Sequence, residues 1–183
     1  RVRSGVPLLS DPVRGVRIEA ARLLADIPDA RIPEGERAAR AAALLEYENA
    51  LALEADWPAG QVNLGNLRLR QGRVDEAIAA YERAIALDKG LADAYVNLAA
   101  MLDRNDRGDE ALRALGEALK INSKHAATLM QVARTQLRKA NYEQAEQAAR
   151  LALQSEPDSA EAHSILAQVL HETDRLHDAI AEF

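Results

Sequence analysis

The 183-residue chain contains no cysteine, which removes disulfides, thiolate zinc sites, a cysteine nucleophile and a CxxCH haem attachment together. That absence assigns no compartment, so cytoplasm and periplasm fit equally. Aromatic residues are scarce, with one Phe, one Trp and four Tyr. The hydrophobic fraction of 48% is therefore carried mostly by Ala and Leu, and small side chains suit closely approaching helices better than packed sheets. Strand-type runs are missing. No apolar run approaches the ~20 residues that span a bilayer, which predicts a soluble chain with no membrane insertion. Positive charge is also short: 23 Lys and Arg stand against 29 Asp and Glu, for a net charge of -6. Proteins that neutralise phosphates need a concentrated positive field, so nucleic acid is a poor partner for this chain.

What the chain does have is a period. Ala77, Ala111, Ala145 and Ala179 follow one another at steps of 34 residues. Each sits in a similar helix opening: Asp75-Glu76-Ala77-Ile78, Asp109-Glu110-Ala111-Leu112, Glu143-Gln144-Ala145-Glu146 and His177-Asp178-Ala179-Ile180. Acidic residues there favour the positive end of a helix dipole. Helix breaks recur on the same schedule, at Leu87-Asp88-Lys89-Gly90, Ile121-Asn122-Ser123-Lys124 and Ser155-Glu156-Pro157-Asp158. A helical hairpin that cannot bury its apolar face alone must stack on its neighbours. The expected fold is all-α, a right-handed superhelical solenoid of antiparallel helix pairs. The units fall at residues 58–91, 92–125, 126–159 and a truncated 160–183.

Within each unit the chain resembles the tetratricopeptide repeat family. That family carries a large residue at position 4 of the repeat, Leu at 7, Gly or Ala at 8, Ala at 20, an aromatic at 24, Ala at 27 and Pro at 32. The first unit supplies Leu64, Gly65, Ala77, Tyr81 and Ala84; the second Tyr95, Leu98, Ala99, Ala111, Leu115 and Ala118. The third supplies Leu129, Val132, Ala133, Ala145, Ala149, Ala152 and Pro157, and the fourth Leu166, Ala167, Ala179 and Phe183. Gln61 and His163 at position 4, and Lys89 and Ser123 in place of proline, are departures. Stepping back one period from Tyr81 and Ala84 gives Tyr47 and Ala50, so residues 33–57 read as an irregular leading helix whose expected partner is missing. Pro28 and Pro33 keep the preceding residues out of a regular helix. Residues 8–27, with Asp11-Pro12, Val16-Arg17 and Ala20-Ala21, resemble half of a HEAT repeat and join a Pro-containing linker over 1–32. A HEAT stretch leading into such repeats is similar to the tail regions of some large bacterial multihaem cytochromes. The chain begins at Arg1 and stops at Phe183 inside a helical pattern, which suggests a piece of a longer polypeptide.

The resemblance also implies where a ligand lies. At ~100° per residue, positions 2, 6, 9 and 13 of the first helix share one stripe, which in the family lines the concave groove. Position 6 reads Asn63, Asn97, Gln131, Ile165, and position 13 reads Arg70, Arg104, Arg138, Glu172. Asn66 and Arg134 stand at position 9, Asp93 and Glu161 at position 2. A row of amides can pair with the backbone of an extended peptide, and guanidinium forks select carboxylates. The expected partner is a protein or peptide segment, extended and acidic, held by Asn63, Asn66, Arg70, Asn97, Arg104, Gln131, Arg134 and Arg138. Two other readings use the same residues. The arginines pair internally with Asp93, Asp103 and Glu172, or the array is a spacer, scaffold or recruiting arm of a larger protein. The family's carboxylate clamp for chaperone tails needs Lys at position 5, where Val62, Val96 and Met130 form an apolar strip instead.

Other signals carry no chemistry. Asp103-Arg104-Asn105-Asp106-Arg107-Gly108 resembles a calcium loop, but Arg107 and Ala114 occupy positions that need oxygen ligands. Arg107-Gly108-Asp109 looks like an adhesion tripeptide yet falls at a required turn. His163, His171 and His177 lack a convincing three-ligand geometry. With no phosphate loop and no Ser, His and Asp set, the chain reads as non-catalytic, without cofactor or metal. Leu166, Leu170, Ile180 and Phe183 are expected to be left uncovered at the broken last unit and to pair two copies as a homodimer.

Overall fold

The computed structural model describes residues 2–181, and among them every regular element is helical. Two compact units divide the chain, residues 1–87 and 88–183.

In the first unit a short helix α1 (Val2–Gly5) and a 3-10 turn (Val6–Ser10) lead into α2 (Arg14–Leu24). Then come α3 (Arg37–Leu53), α4 (Pro58–Arg70) and α5 (Val74–Leu87). The leading helix α3 has a partner after all, because α2 packs along it. Val6, Leu9, Ala20, Ala21, Leu24, Ile32 and Ala43 form their shared core. The two prolines do not interrupt this pairing, since they precede 3-10 turns (Asp29–Arg31 and Glu34–Glu36) in the connection. Arg40, only 8% exposed, fastens that connection: its guanidinium donates to Leu24 O at 3.0 Å and Ile27 O at 2.7 Å and pairs with Asp29. Those carbonyls lie at or just past the end of α2, where a helix lacks internal donors. Nearer the C-terminal end of α3, Glu48 accepts from Arg68 and Gln71, both at 2.8 Å. Burial alone would raise its carboxyl, but the bonds from Gln71 and Arg68 hold it below the usual range.

The second unit contains α6 (Ala92–Arg104), α7 (Gly108–Ile121), α8 (Ala126–Arg138), α9 (Tyr142–Ser155), α10 (Ala160–Glu172) and α11 (Leu176–Ala181). Helices pair antiparallel in sequence order, α4 with α5 in the first unit and α6 with α7, α8 with α9 in the second. Among the first helices of the hairpins, α8 also touches both α6 and α10. The periodic alanines account for this closeness: Ala77, Ala111 and Ala145 are fully buried, as are Ala84, Ala118 and Ala152.

Each hairpin turn is made by one residue in the left-handed region, Gly72, Asp106, Ala140 or Asp174, again 34 apart. The amide that follows reaches back five residues, as in Arg73 N to Arg68 O and Asn141 N to Gln136 O, both 2.9 Å. This is the Schellman closure of a helix end, and it favours glycine. Ala140, at φ 57°, carries a Cβ strain of ~1–2 kcal/mol there, partly offset by the unfolded-state entropy of glycine. Ala140→Gly is therefore expected to stabilise the chain by about 0.5–1 kcal/mol, read as a Tm rise of about 2–4 °C; a lower Tm would contradict this.

Candidate functional site

The stripe at positions 2, 6, 9 and 13 behaves differently in the two units. In the second, it faces the neighbouring first helices, and its polar groups bridge them. Arg138 on α8 reaches α6, donating to Asp103 O at 3.1 Å and standing 3.2 Å from the Asp103 carboxylate, which is 2% exposed. Arg134 pairs with Glu161 of α10. His125 lies 3.5 Å from Asp93, and Lys139 holds Asp109 at 2.8 Å, drawing that carboxyl below its ordinary range by hydrogen bond and charge. Of the three internal carboxylates weighed for the arginines, Asp103 is the one that pairs.

Gln131 departs from expectation. It is 6% exposed, its Oε1 accepting from Arg134 at 3.3 Å and its Nε2 standing 3.5 Å from Thr135 Oγ1. The amide at position 6 of α8 is thus buried and engaged with side chains of its own helix. Asn97 is half-buried and Arg104 exposed, and neither side chain makes a hydrogen bond or ion pair among the described residues. A cleft of about 450 Å³ opens beside α8 and α10, with Arg134 and Arg138 facing Gln168 and Glu172, and Leu137, Ala140 and Tyr142 completing it.

In the first unit Asn63, Asn66 and Arg70 come together in one small cleft with Arg22, Tyr47 and Leu67. Arg70 Nη1 donates to Arg22 O at 2.8 Å, near the C-terminal end of α2, so its position-13 arginine, like Arg138, closes the end of an adjacent helix. Asn66 Oδ1 accepts from the Tyr81 hydroxyl at 2.8 Å. Tyr81 is fully buried, and burial pushes its hydroxyl up to about 12, keeping it a donor. Arg22 and Tyr47 were not legible as site residues, because α2 and α3 carry no complete repeat pattern. Asp103 did leave a signal: it stands at position 12, where neighbouring units have Leu69 and Leu137.

The proposed pairing surface is corrected by the last helix. Leu166 and Leu170 are 1% and 0% exposed, packed in a core with Ala149, Ile165 and Ala179, because α11 folds back on α10 and covers them. Ile180 is 72% exposed, and Phe183 lies outside the described residues. No cluster of three or more metal-ligating side chains and no helix long and apolar enough to cross a membrane occurs among the described residues.

Family profiles match at residues 65–105, described as TPR repeat, and at 102–169, described as tetratricopeptide repeat. Together they cover more than half of the sequence, and the chain belongs to the tetratricopeptide repeat family. No curated protein matches it by sequence. Among solved structures, the crystal structure of MamA is 19% identical, covers 77% of this chain and 82% of its own, and superposes with a TM-score of 0.67. The first TPR of Spaghetti (RPAP3), bound to the HSP90 peptide SRMEEVD, is 20% identical over 64% of this chain and 93% of its own, with a TM-score of 0.62. The Arabidopsis OM64 TPR domain is 20% identical over 65% and 98%, at 0.61. At these identities the likeness is one of fold.

Proposed function

We propose that the chain is a non-catalytic binding module whose second unit takes an extended acidic peptide or protein segment along α6, α8 and α10. The observation that carries the reading is the row of Arg104, Arg134 and Arg138 on adjacent helices of a chain whose net charge is -6. Arg104 has no carboxylate partner among the described residues. Arg134 and Arg138 each hold one carboxylate but line an open cleft, and a guanidinium with five donors can serve a second acceptor. Asn97 beside them offers donor and acceptor to a peptide backbone. The RPAP3 domain, of the same fold, was solved with a peptide containing two glutamates and an aspartate, which supports an acidic ligand.

The reading is tested by fluorescence anisotropy with a labelled peptide of alternating Glu and Gly and its Gln counterpart. Several exposed pairs at about 0.5–1 kcal/mol each give a preference of at least ~10-fold for the acidic peptide, weakening as salt rises. Equal affinity for both peptides would reject it. The second reading, a spacer with no ligand, is favoured by the bridges Arg138 to Asp103 and Arg134 to Glu161, which give two arginines a packing role. It predicts no binding of either peptide.

A further inference from the structure

The connection between α3 and α4, residues 54–57, departs from its counterparts in the later repeats. Leu53, the last residue of α3, is 81% exposed, against 51% for Leu87 and 42% for Ile121 one and two periods on. Trp57, which opens the next helix, is 71% exposed, whereas Leu91, His125 and Ser159 at the same position of the repeat are half-buried. The four stretches read Leu-Glu-Ala-Asp-Trp, Leu-Asp-Lys-Gly-Leu, Ile-Asn-Ser-Lys-His and Ser-Glu-Pro-Asp-Ser. Only in the first do large apolar residues stand at both ends with two carboxylates between them. Glu54 and Asp56 are exposed, and neither makes a hydrogen bond or ion pair among the described residues.

The backbone that carries these side chains is held in place. Trp57 N donates to Glu54 O at 2.9 Å, and the buried Gln61 side chain donates to Ala55 O at 2.7 Å. Gly60 packs so closely on Glu54 that a Cβ there would collide with the Glu54 carbonyl. Pro58 restricts the residue before it to extended conformations, and Trp57 accordingly lies at φ -105° and ψ 141°. Apolar side chains on a pinned turn lose little freedom when a partner covers them, which lets their area count toward affinity. Tryptophan is enriched among the residues that dominate interface energies. The two unpaired carboxylates beside it repel an acidic partner and attract a basic one, and the indole face itself attracts an ammonium or guanidinium group. We propose that residues 53–57 form a docking point for a partner segment in which an apolar side chain stands next to Lys or Arg, the apolar group against Leu53 and Trp57 and the cation against Glu54 and Asp56. This surface belongs to the first unit and calls for the charge opposite to that taken by the arginine row, so it stands or falls independently of the peptide reading above.

Trp57 is the sole tryptophan of the chain, so indole emission reports on this surface alone. The full chain is titrated with three blocked peptides, Gly-Lys-Leu-Lys-Gly, Gly-Glu-Leu-Glu-Gly and Gly-Lys-Gly-Lys-Gly. A saturable blue shift is expected with the first, with binding at least ~10-fold weaker for its acidic counterpart and about 10-fold weaker for the peptide that lacks leucine. Glu54→Gln combined with Asp56→Asn is expected to weaken binding of Gly-Lys-Leu-Lys-Gly about 5-fold, and Leu53→Ser about 5-fold. All three positions are exposed, so both variants keep the circular dichroism of the wild type. Absence of a saturable shift, equal affinity for the acidic peptide, or affinity unchanged in both variants overturns the site. A blue shift on concentrating the protein without peptide gives the surface to a second copy of the chain and overturns the choice of partner.

Discussion

Gly65→Ala is expected to destabilise the first unit by about 3 kcal/mol, at the upper end of overpacking costs. A Cβ at Gly65 would stand 2.5 Å from Tyr81 Cε1 and 2.8 Å from Cδ1. The ring cannot yield cheaply: Tyr81 is fully buried and its hydroxyl is tied to Asn66. The other units show how the pair is balanced. Where Leu115 and Ala149 replace Tyr81, Ala99 and Ala133 replace Gly65, and all four are fully buried. In the second and third units position 8 thus takes a methyl group where position 24 carries no ring. The double variant Gly65→Ala with Tyr81→Leu recreates the pairing of Ala99 and Leu115. It should recover more than half of the loss, a coupling of about 2 kcal/mol in a double-mutant cycle. Chemical denaturation of the four proteins measures it, and strictly additive effects would show that the two positions do not share a packing constraint.

That coupling was readable only in part. The 34-residue step, the small residues that let helices approach and the turn positions are properties of local pattern, and the structure has helices and left-handed turns at those intervals. The partner of α3 was hidden because α2 lacks the repeat's residues and is joined through Pro28 and Pro33; nothing in their sequence reveals that Arg40 pins the connection to Leu24 and Ile27. A helical wheel assigns an angle to a side chain without saying what stands opposite. Gln131 and Arg138 share the stripe of Arg104, yet one is buried and bonded within its own helix and the other satisfies the buried Asp103 carboxylate. Leu166 and Leu170 were expected to be bare because the repeat breaks off, whereas one short helix, α11, suffices to cover them. The cleft formed by Arg22, Tyr47, Asn63, Asn66 and Arg70 joins residues up to 48 positions apart, with no periodic relation among α2, α3 and α4.

Arg104→Glu combined with Arg134→Glu is expected to weaken binding of the Glu-Gly peptide about 30-fold. These two are chosen because the fold depends on them least: Arg104 is exposed and without a partner among the described residues, and the Arg134 pair with Glu161 has side chains 42% and 52% exposed. Exposed pairs of that kind contribute at most ~1 kcal/mol, so the variant remains folded, which circular dichroism checks directly. Arg138 is left in place because removing it would strand the buried Asp103 carboxylate, at a cost of several kcal/mol. Reversing two charges replaces two attractions by two repulsions, about 2 kcal/mol in all, which is the factor of about 30. Anisotropy titration of the acidic peptide against wild type and this variant is the most direct test of a binding face on α6, α8 and α10. The account predicts saturable binding by the wild type and a loss of about 30-fold in the variant; equal affinity of the two folded proteins would contradict it.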